Sequence, residues 1–430
     1  MKIKYETPRG TRDFLPEELR PREYVMAKIE NWFKKYGYQK METPVFEYLE
    51  VLTQKSGEVE NEIYSFEDKS GRKLALRFDL TVPLARVVAS TPSLKLPFKR
   101  YCISRVWRYE KPQLGRFREF WQADADIVGS GSMDCEVELL NMAAKICEDL
   151  GFEKYAIHLN NRKILEGLAQ ITGIGKNKIS DAFRSLDKLD KIGYEGVRKE
   201  FLTRGLSEKE YDSFIERIKI EGENSEKILY LEDILENNQK GREGVEEIKR
   251  ILYFLDKLGL KNVLLDLTLV RGLDYYTGPI FEIKSKELKI GSFAGGGRYD
   301  RLIELYGKRS IPAVGISFGL ERIIEILKDK IKLEDPPRLF IASIGGENAK
   351  IEAIKIADYL RSKLPTPVEI NLTDKRLTDQ LRYANSRGIK YVLIVGDQEL
   401  EEKKFPLKDM TAQTEEKISL EEVVSSLQKF

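Results

Sequence analysis

Between Lys99 and Arg118, seven basic residues (Lys99, Arg100, Arg105, Arg108, Lys111, Arg116 and Arg118) stand against one acid, Glu110. Such a local excess marks an anion site, because guanidinium groups grip carboxylate or phosphate oxygens in pairs. Alternation in Arg100–Glu110 predicts a strand, Lys111–Arg118 a polar loop, and Phe120–Val128 a returning strand, together a long antiparallel hairpin. Period-two geometry then sets Gln122, Asp124 and Asp126 on one face of the return strand, with Trp121, Ala123, Ala125 and Ile127 on the other. A row of an amide and carboxylates beside a strand ending in Arg108 suits a polar ligand. The competing account is a solvated face with ordinary ion pairs.

Four further groups add chemistry. Arg77, Asp79 and Thr81 are spaced to share a strand face, where a carboxylate and a hydroxyl can hold an ammonium group. In Val270–Gly278, Arg271 precedes Gly272 and the adjacent Tyr275 and Tyr276, a composition that fits a site or a plain turn. Ala294–Asp300 offers Gly295, Gly296 and Gly297 ahead of Arg298. It matches neither a Walker loop nor a dinucleotide fingerprint, and a tight turn is an equal account. Gly315–Arg322 reads as a strand turning into a helix, with Arg322 in the first helical turn, where free amides and the dipole favour an anion. Each signal is modest; together they weigh more.

These residues need elements to position them. A helix led by Pro21 carries Tyr24, Val25, Ile29, Trp32 and Phe33 at helical spacing and stops at Gly37. Strand patterns dominate from about 62 to 128, and 134–150 reads as a buried helix. From 163 to 258 charged helices predict a helical insertion, after which strands resume at Val263–Leu267, Phe281–Ile283 and Ala313–Phe318. Asp335-Pro336-Pro337 reads as a linker. Beyond it, strands and helices alternate, predicting a small α/β domain.

Composition bounds the rest. A chain of 430 residues exceeds one core. With 73 basic and 71 acidic residues the net charge is +2, so a nucleic-acid partner must be met by local patches. Cys102, Cys135 and Cys147 match neither a disulfide framework nor a zinc site. No apolar run approaches the roughly 18 residues of a membrane span, and the first residues lack a secretion signal. A cytoplasmic location without membrane attachment is expected. The lone histidine, His158, argues against a histidine-based triad or metal site and is expected to be structural.

On these motifs the chain resembles the histidyl-tRNA synthetases, class II aminoacyl-tRNA synthetases, over nearly its whole length. Thr43-Pro44 is similar to the first class motif, which builds the dimer interface; Arg108–Glu110 through Gln122 and Asp126 is similar to the second, and Gly315–Arg322 to the third. Arg271–Tyr276 and Gly295–Asp300 resemble the two histidyl blocks and are the most specific. The resemblance implies an α+β fold: an antiparallel-sheet catalytic domain (1–162 and 259–333) with a helical insertion (163–258), plus a C-terminal α/β anticodon-binding domain (336–430). It implies ligation of L-histidine to tRNA(His) through histidyl-adenylate, with ATP as substrate, Mg²⁺ as companion and a homodimer.

The resemblance also implies roles, residue by residue. Arg108 would hold the α-phosphate and the histidine carboxylate, Arg271 would clamp the α-phosphate from the opposite side, and Arg322 would hold the γ-phosphate. Glu110 and Arg116 would join the ATP site. Asp79, Thr81 and Gln122 would bind the ammonium group, and Asp126 and Tyr276 the imidazole nitrogens. Tyr275, Gly295 and Gly297 would line the histidine pocket. No protein metal ligand is implied. Asp at both 79 and 126, where bacterial members often carry Glu, together with Asp79–Pro83, looks archaeal and eukaryotic. Competing readings are a histidine-sensing regulatory subunit of ATP phosphoribosyltransferase, an RNA-binding module of a signalling protein, and another class II amino-acid specificity.

Overall fold

Two apolar rows decide how the central sheet is covered. The computed structural model describes residues 5–54, 61–272, 275–287, 291–331, 333 and 338–428. The start Met1–Lys4, Leu273 and Asp274, and the linker Asp335-Pro336-Pro337 lie outside the described residues. Two compact units divide the chain, Met1–Ile331 and Lys332–Phe430.

In the first unit the predicted hairpin forms, as strands Phe98–Trp107 and Glu119–Val128, paired from Phe98 opposite Val128 to Trp107 opposite Glu119. It lies within an eight-stranded sheet, ordered Gln39–Lys40, Phe98–Trp107, Glu119–Val128, Ala313–Gly319, Ser292–Arg298, Pro279–Ser285, Tyr155–Asn161 and Val263–Leu265. The two outermost pairings are parallel and the remaining ones antiparallel. On one face Tyr101, Ala123, Ala125, Ile127 and Phe318 are buried with Val25, Ile29 and Phe33 of the long first helix. The Phe33 ring lies 5.4 Å from Tyr101 and 6.2 Å from Phe318. With that face dry and apolar, the polar row of the return strand must look the other way.

The first helix spans Pro16–Lys35, so it starts five residues before the expected Pro21. Pro16 fits the first turn, where a missing N–H costs nothing, and Glu18 accepts from the Leu15 N–H at 3.2 Å. Gly37, at φ 77°, turns the chain out after Lys35. Helices Arg162–Ile171, Ile179–Leu186, Leu189–Thr203, Glu208–Ile218, Asn224–Ile234 and Gln239–Lys257 fill the expected helical stretch, and their apolar residues join the same continuous core as the sheet.

A second correction concerns Arg77–Thr81. The strand ends at Leu76 and Thr81 opens the helix Thr81–Ser90. Asp79 Oδ1 accepts from the Val82 N–H at 3.0 Å, tying down a free amide of the helix start, which a continuing strand does not allow. The glycine run is not a turn either: Gly295–Gly297 lies inside strand Ser292–Arg298 and its residues pair on both sides.

The second unit has the expected α/β form. Val368–Ile370, Leu339–Ser343 and Tyr391–Val395 are parallel, and Phe405–Asp409 and Thr414–Ile418 extend the sheet antiparallel. Helix Glu347–Lys363 covers one face through Ala353, Ile356, Ala357 and Leu360. Among the described residues no helix is long and apolar enough to cross a membrane.

Candidate active site

The polar face of the sheet floors a cleft lined by Asp79, Thr81, Arg108, Gln122, Asp124, Asp126, Arg271, Tyr275, Tyr276, Gly295 and Tyr299, among others. Strand register builds this floor in rows. Arg100, Asp126, Gly315 and Gly297 face one another across four strands; Cys102, Asp124, Ser317 and Gly295 form the next row. Side chains from the hairpin end of each row therefore meet open space over the glycines. The glycines act by what they leave out. A Cβ on Gly295 would lie 2.3 Å from Arg271 Nη1, one on Gly315 would lie 2.0 Å from Asp126 Oδ1, and one on Gly297 would lie 2.9 Å from the Tyr276 ring. Gly297 thus does not line the cleft; it makes room for a residue that does.

Carboxylates dominate the inner end. Asp79, Asp124 and Asp126 are almost completely buried, as is Arg100. Asp126 Oδ2 lies 3.0 Å from Arg100 Nη2, and its Oδ1 accepts from the Tyr299 hydroxyl at 2.5 Å. Tyr275 donates to Asp79 Oδ2 at 3.5 Å. Burial pushes the Asp79 carboxyl up to about 6 and that of Asp124 up to about 7, and it raises Asp126 as well. Among the described residues the buried Gln122 Oε1 and Asp124 Oδ1 have no hydrogen-bond partner. An apolar ligand would leave those acceptors stranded; one with N–H donors would satisfy them.

Arginines dominate the outer end. Arg108 follows the outgoing strand and donates through Nε to Phe78 O at 3.0 Å, with its guanidinium 5.4 Å from the Phe120 ring. Arg116 pairs with Glu110 at 3.0 Å. Arg322 sits in the first turn of helix Leu320–Leu327, and its Nη1 donates to Ser292 O. Burial, and then the neighbouring cations Arg116 and Arg108, hold Arg322 down to about 10 despite Glu110 and Glu282. Cations gathered closely enough to lower Arg322 are arranged for a polyanion. Arg271 pairs with Glu282 at 2.8 Å and reaches the cleft over Gly295.

Asp79, Thr81, Gln122, Asp126, Tyr275, Tyr276, Arg108, Arg271 and Gly295 therefore share one cleft, with Glu110, Arg116 and Arg322 grouped about Arg108. Arg298 is separate. It is buried against Glu136 at 2.6 Å and does not line the cleft. His158 pairs with Asp266 at 2.8 Å outside the cleft. The sequence reading assigned no role to Asp124, Tyr299 or Arg100. Asp124 was signalled by the alternating row and Tyr299 by its place after the glycines; Arg100 carried no signal beyond its charge.

The sequence profile of the family described as Histidyl-tRNA synthetase matches residues 10–323, and that of an Anticodon binding domain matches 339–430. The histidine–tRNA ligase of Bacteroides fragilis (strain YCH46) is 39% identical, covering 100% of both chains. The crystal structure of histidyl-tRNA synthetase from Nostoc sp. PCC 7120 aligns over 100% of both chains with a TM-score of 0.80 and 29% identity. A Bacillus halodurans C structure, described as an ATP phosphoribosyltransferase regulatory subunit/histidyl-tRNA synthetase, shares the fold at TM-score 0.77 and 23% identity, over 92% of this chain and 99% of that one. These relatives are bacterial and lend no support to the archaeal and eukaryotic likeness read from Asp79–Pro83. By the match of residues 10–323 and the full-length likeness to the ligase, the chain belongs to the histidyl-tRNA synthetase family.

Proposed function

We propose that the chain ligates L-histidine to tRNA(His) in two steps. The histidine carboxylate attacks the α-phosphorus of ATP, forming histidyl-adenylate and releasing pyrophosphate. A ribose hydroxyl of the tRNA then attacks the adenylate's carbonyl carbon, giving histidyl-tRNA and AMP. The observation that carries this reading is the polarity of one cleft: buried carboxylates at one end, converging arginines at the other. A zwitterionic amino acid with an N–H-bearing ring fits the inner end, and a polyphosphate the outer.

Asp79, Thr81 and Gln122 take the ammonium group, and the ring lies toward Tyr276 and the Asp124–Asp126 row. Tyr275 and Gly295 line the pocket and Gly297 seats Tyr276. Arg108 and Arg271 flank the reacting phosphate and carboxylate; Arg116, beside Glu110, and Arg322 take the outer phosphates. The nucleophile belongs to the substrate, so the protein contributes positioning and charge stabilisation. Among the described residues no group of three or more His, Cys, Asp or Glu is placed to hold a metal ion. Mg²⁺ therefore fits best as a companion of the ATP phosphates, where it would neutralise their charge.

The unit Lys332–Phe430 is assigned to the anticodon and the helices of 163–258 to an insertion in the catalytic domain. A cytoplasmic homodimer is proposed from the family alone. The regulatory-subunit reading is weaker, because Arg108 and Arg271 line the cleft, Arg322 lies near Arg108 and Arg116, and an anticodon-type unit follows. ATP–pyrophosphate exchange with purified protein, Mg²⁺ and each amino acid in turn decides between them. Exchange with histidine alone is expected. Histidine binding without exchange would overturn the ligase reading.

A further inference from the structure

Resting on the reading that Arg116 and Arg322 hold the outer phosphates of ATP, we propose that the segment Pro8–Phe14 is a brace. It positions the loop carrying Glu110 and Arg116 against the helix carrying Arg322. The loop tip is closed by the bridge between Gln113 and Arg116, and Tyr109 and Leu114 are exposed. The loop is also held from outside at both ends. Tyr109 donates its N–H to Glu62 O at 2.8 Å, and its ring meets that of Tyr64 edge-on at 5.3 Å. At the other end Arg118 donates its N–H to Gly10 O at 2.8 Å.

A turn with a bare backbone makes the second hold possible. Thr11 donates its N–H and its hydroxyl to Pro8 O, at 3.0 and 2.7 Å, and Gly10 inside that turn stands at φ 86°. A Cβ on Gly10 would lie 2.7 Å from Arg118 Cγ and 3.0 Å from Pro112 Cγ, so the loop packs directly on the glycine. Past the turn, the Arg12 guanidinium lies 4.4 Å from the Phe14 ring and 5.2 Å from that of Phe117 in the loop. The Phe14 ring also lies 4.2 Å from the guanidinium of Arg22, on helix Pro16–Lys35. Arg22 is buried and pairs with Glu321 at 2.7 Å, and Glu321 Oε2 accepts from the Trp121 N–H at 3.0 Å. Glu321 stands beside Arg322 in the first turn of helix Leu320–Leu327. The segment thus touches the loop through Gly10 and Arg12 and reaches, through Phe14 and Arg22, the helix start that carries Arg322. Such a path fixes the separation of two cations that meet one polyanion, ordering that binding would otherwise have to supply.

The test is ATP–pyrophosphate exchange with L-histidine, together with trypsin cleavage of the ligand-free protein after Arg116. Gly10→Val puts a branched side chain at a positive φ against Arg118 and should part the turn from the loop. Its KM for ATP should rise about 10-fold while KM for histidine stays within about 2-fold. Cleavage between Arg116 and Phe117 should quicken about 10-fold at an unchanged Tm. Arg12→Ala, at an exposed side chain, should raise KM for ATP about 2- to 5-fold, and Arg12→Lys should restore most of it. That pair secures the test if the glycine variant melts early. An unaltered KM for ATP in the folded variants, equal rises for both substrates, or unchanged cleavage would overturn the brace. Absence of histidine-dependent exchange in the unaltered protein would instead remove the ATP reading beneath it, and cleavage alone would then judge whether the segment holds the loop.

Discussion

Two buried arginine–carboxylate pairs have their arginines in the same sheet and differ in how fully they are satisfied. Arg298 grips Glu136 with Nε at 2.6 Å and Nη2 at 2.7 Å, and it also donates to Ser130 O, Ser132 O and Asp300 Oδ1. Arg100 faces Asp126 at 3.0 Å and donates to Leu80 O at 2.7 Å, while its Nε and Nη1 find no partner among the described residues. A saturated network ties helix Asp134–Asp149 to the sheet and has nothing left for a ligand. An unsaturated one stays open where the cleft is. Full satisfaction rigidifies, whereas the incompletely satisfied network beside the cleft leaves acceptors such as Asp124 Oδ1 for a ligand.

Breaking the saturated pair should have the largest effect. Glu136→Ala leaves Arg298 buried without its main anion and should cost about 3–5 kcal/mol in urea unfolding. Asp126→Asn should cost less, because Asp79 and Asp124 still offset Arg100. Equal costs would mean that the two pairs do the same job.

Arg271 lies between the extremes, with Glu282 as acid partner and the cleft beyond. Arg271→Ala should keep the fold and lower single-turnover adenylate formation about 10²- to 10³-fold. A folded variant that adenylates normally would remove Arg271 from the chemistry.

Proton linkage sharpens the contrast more gently. Asp79 and Asp124, raised to about 6 and about 7, bind more protons in the native than in the unfolded state, whose carboxyls titrate near 4. Their contribution to stability is therefore most favourable at low pH and declines as pH rises from about 4 to 7. Asp124→Asn should flatten that decline in ligand-free protein, read as Tm against pH. An unchanged slope would mean that Asp124 is ionised throughout.

The smallest effect is expected at the lone histidine. Burial works against the Asp266 carboxylate, yet hydrogen bonds from His158 and Thr268 hold it down to about 2. His158→Asn should cost about 1 kcal/mol of stability and leave adenylation unchanged. A lost rate in that variant would give His158 a part in the site.

Legibility followed range. The hairpin and its polar row were readable because strand alternation is local, and the C-terminal rhythm of strands and helices was readable for the same reason. Arg77–Thr81 misled, since its period-two spacing also fits a strand end, a turn and a helix start. The choice was made by the Asp79 bond to the Val82 N–H. Pro21 was mistaken for a start because a proline inside a helix gives the same local signal as one at its beginning. The glycine run looked like a turn because its reason lies elsewhere, in Arg271, Tyr276 and the facing strand.

Residue type and short-range spacing alone determined the family likeness, the arginine-rich hairpin, the amide-and-carboxylate row and a separate C-terminal α/β unit. These depend on periodicity and on side-chain chemistry, which a chain carries before it folds. Tertiary structure decided which of the similar residues are free to act. Arg298 is spent on Glu136, 162 positions away, and Asp126 on Tyr299, 173 away, whereas Arg322 gathers with Arg116 and Arg108 at the mouth. Register across strands, and the volume that glycines leave empty, settle such pairings, and neither is written in any one segment.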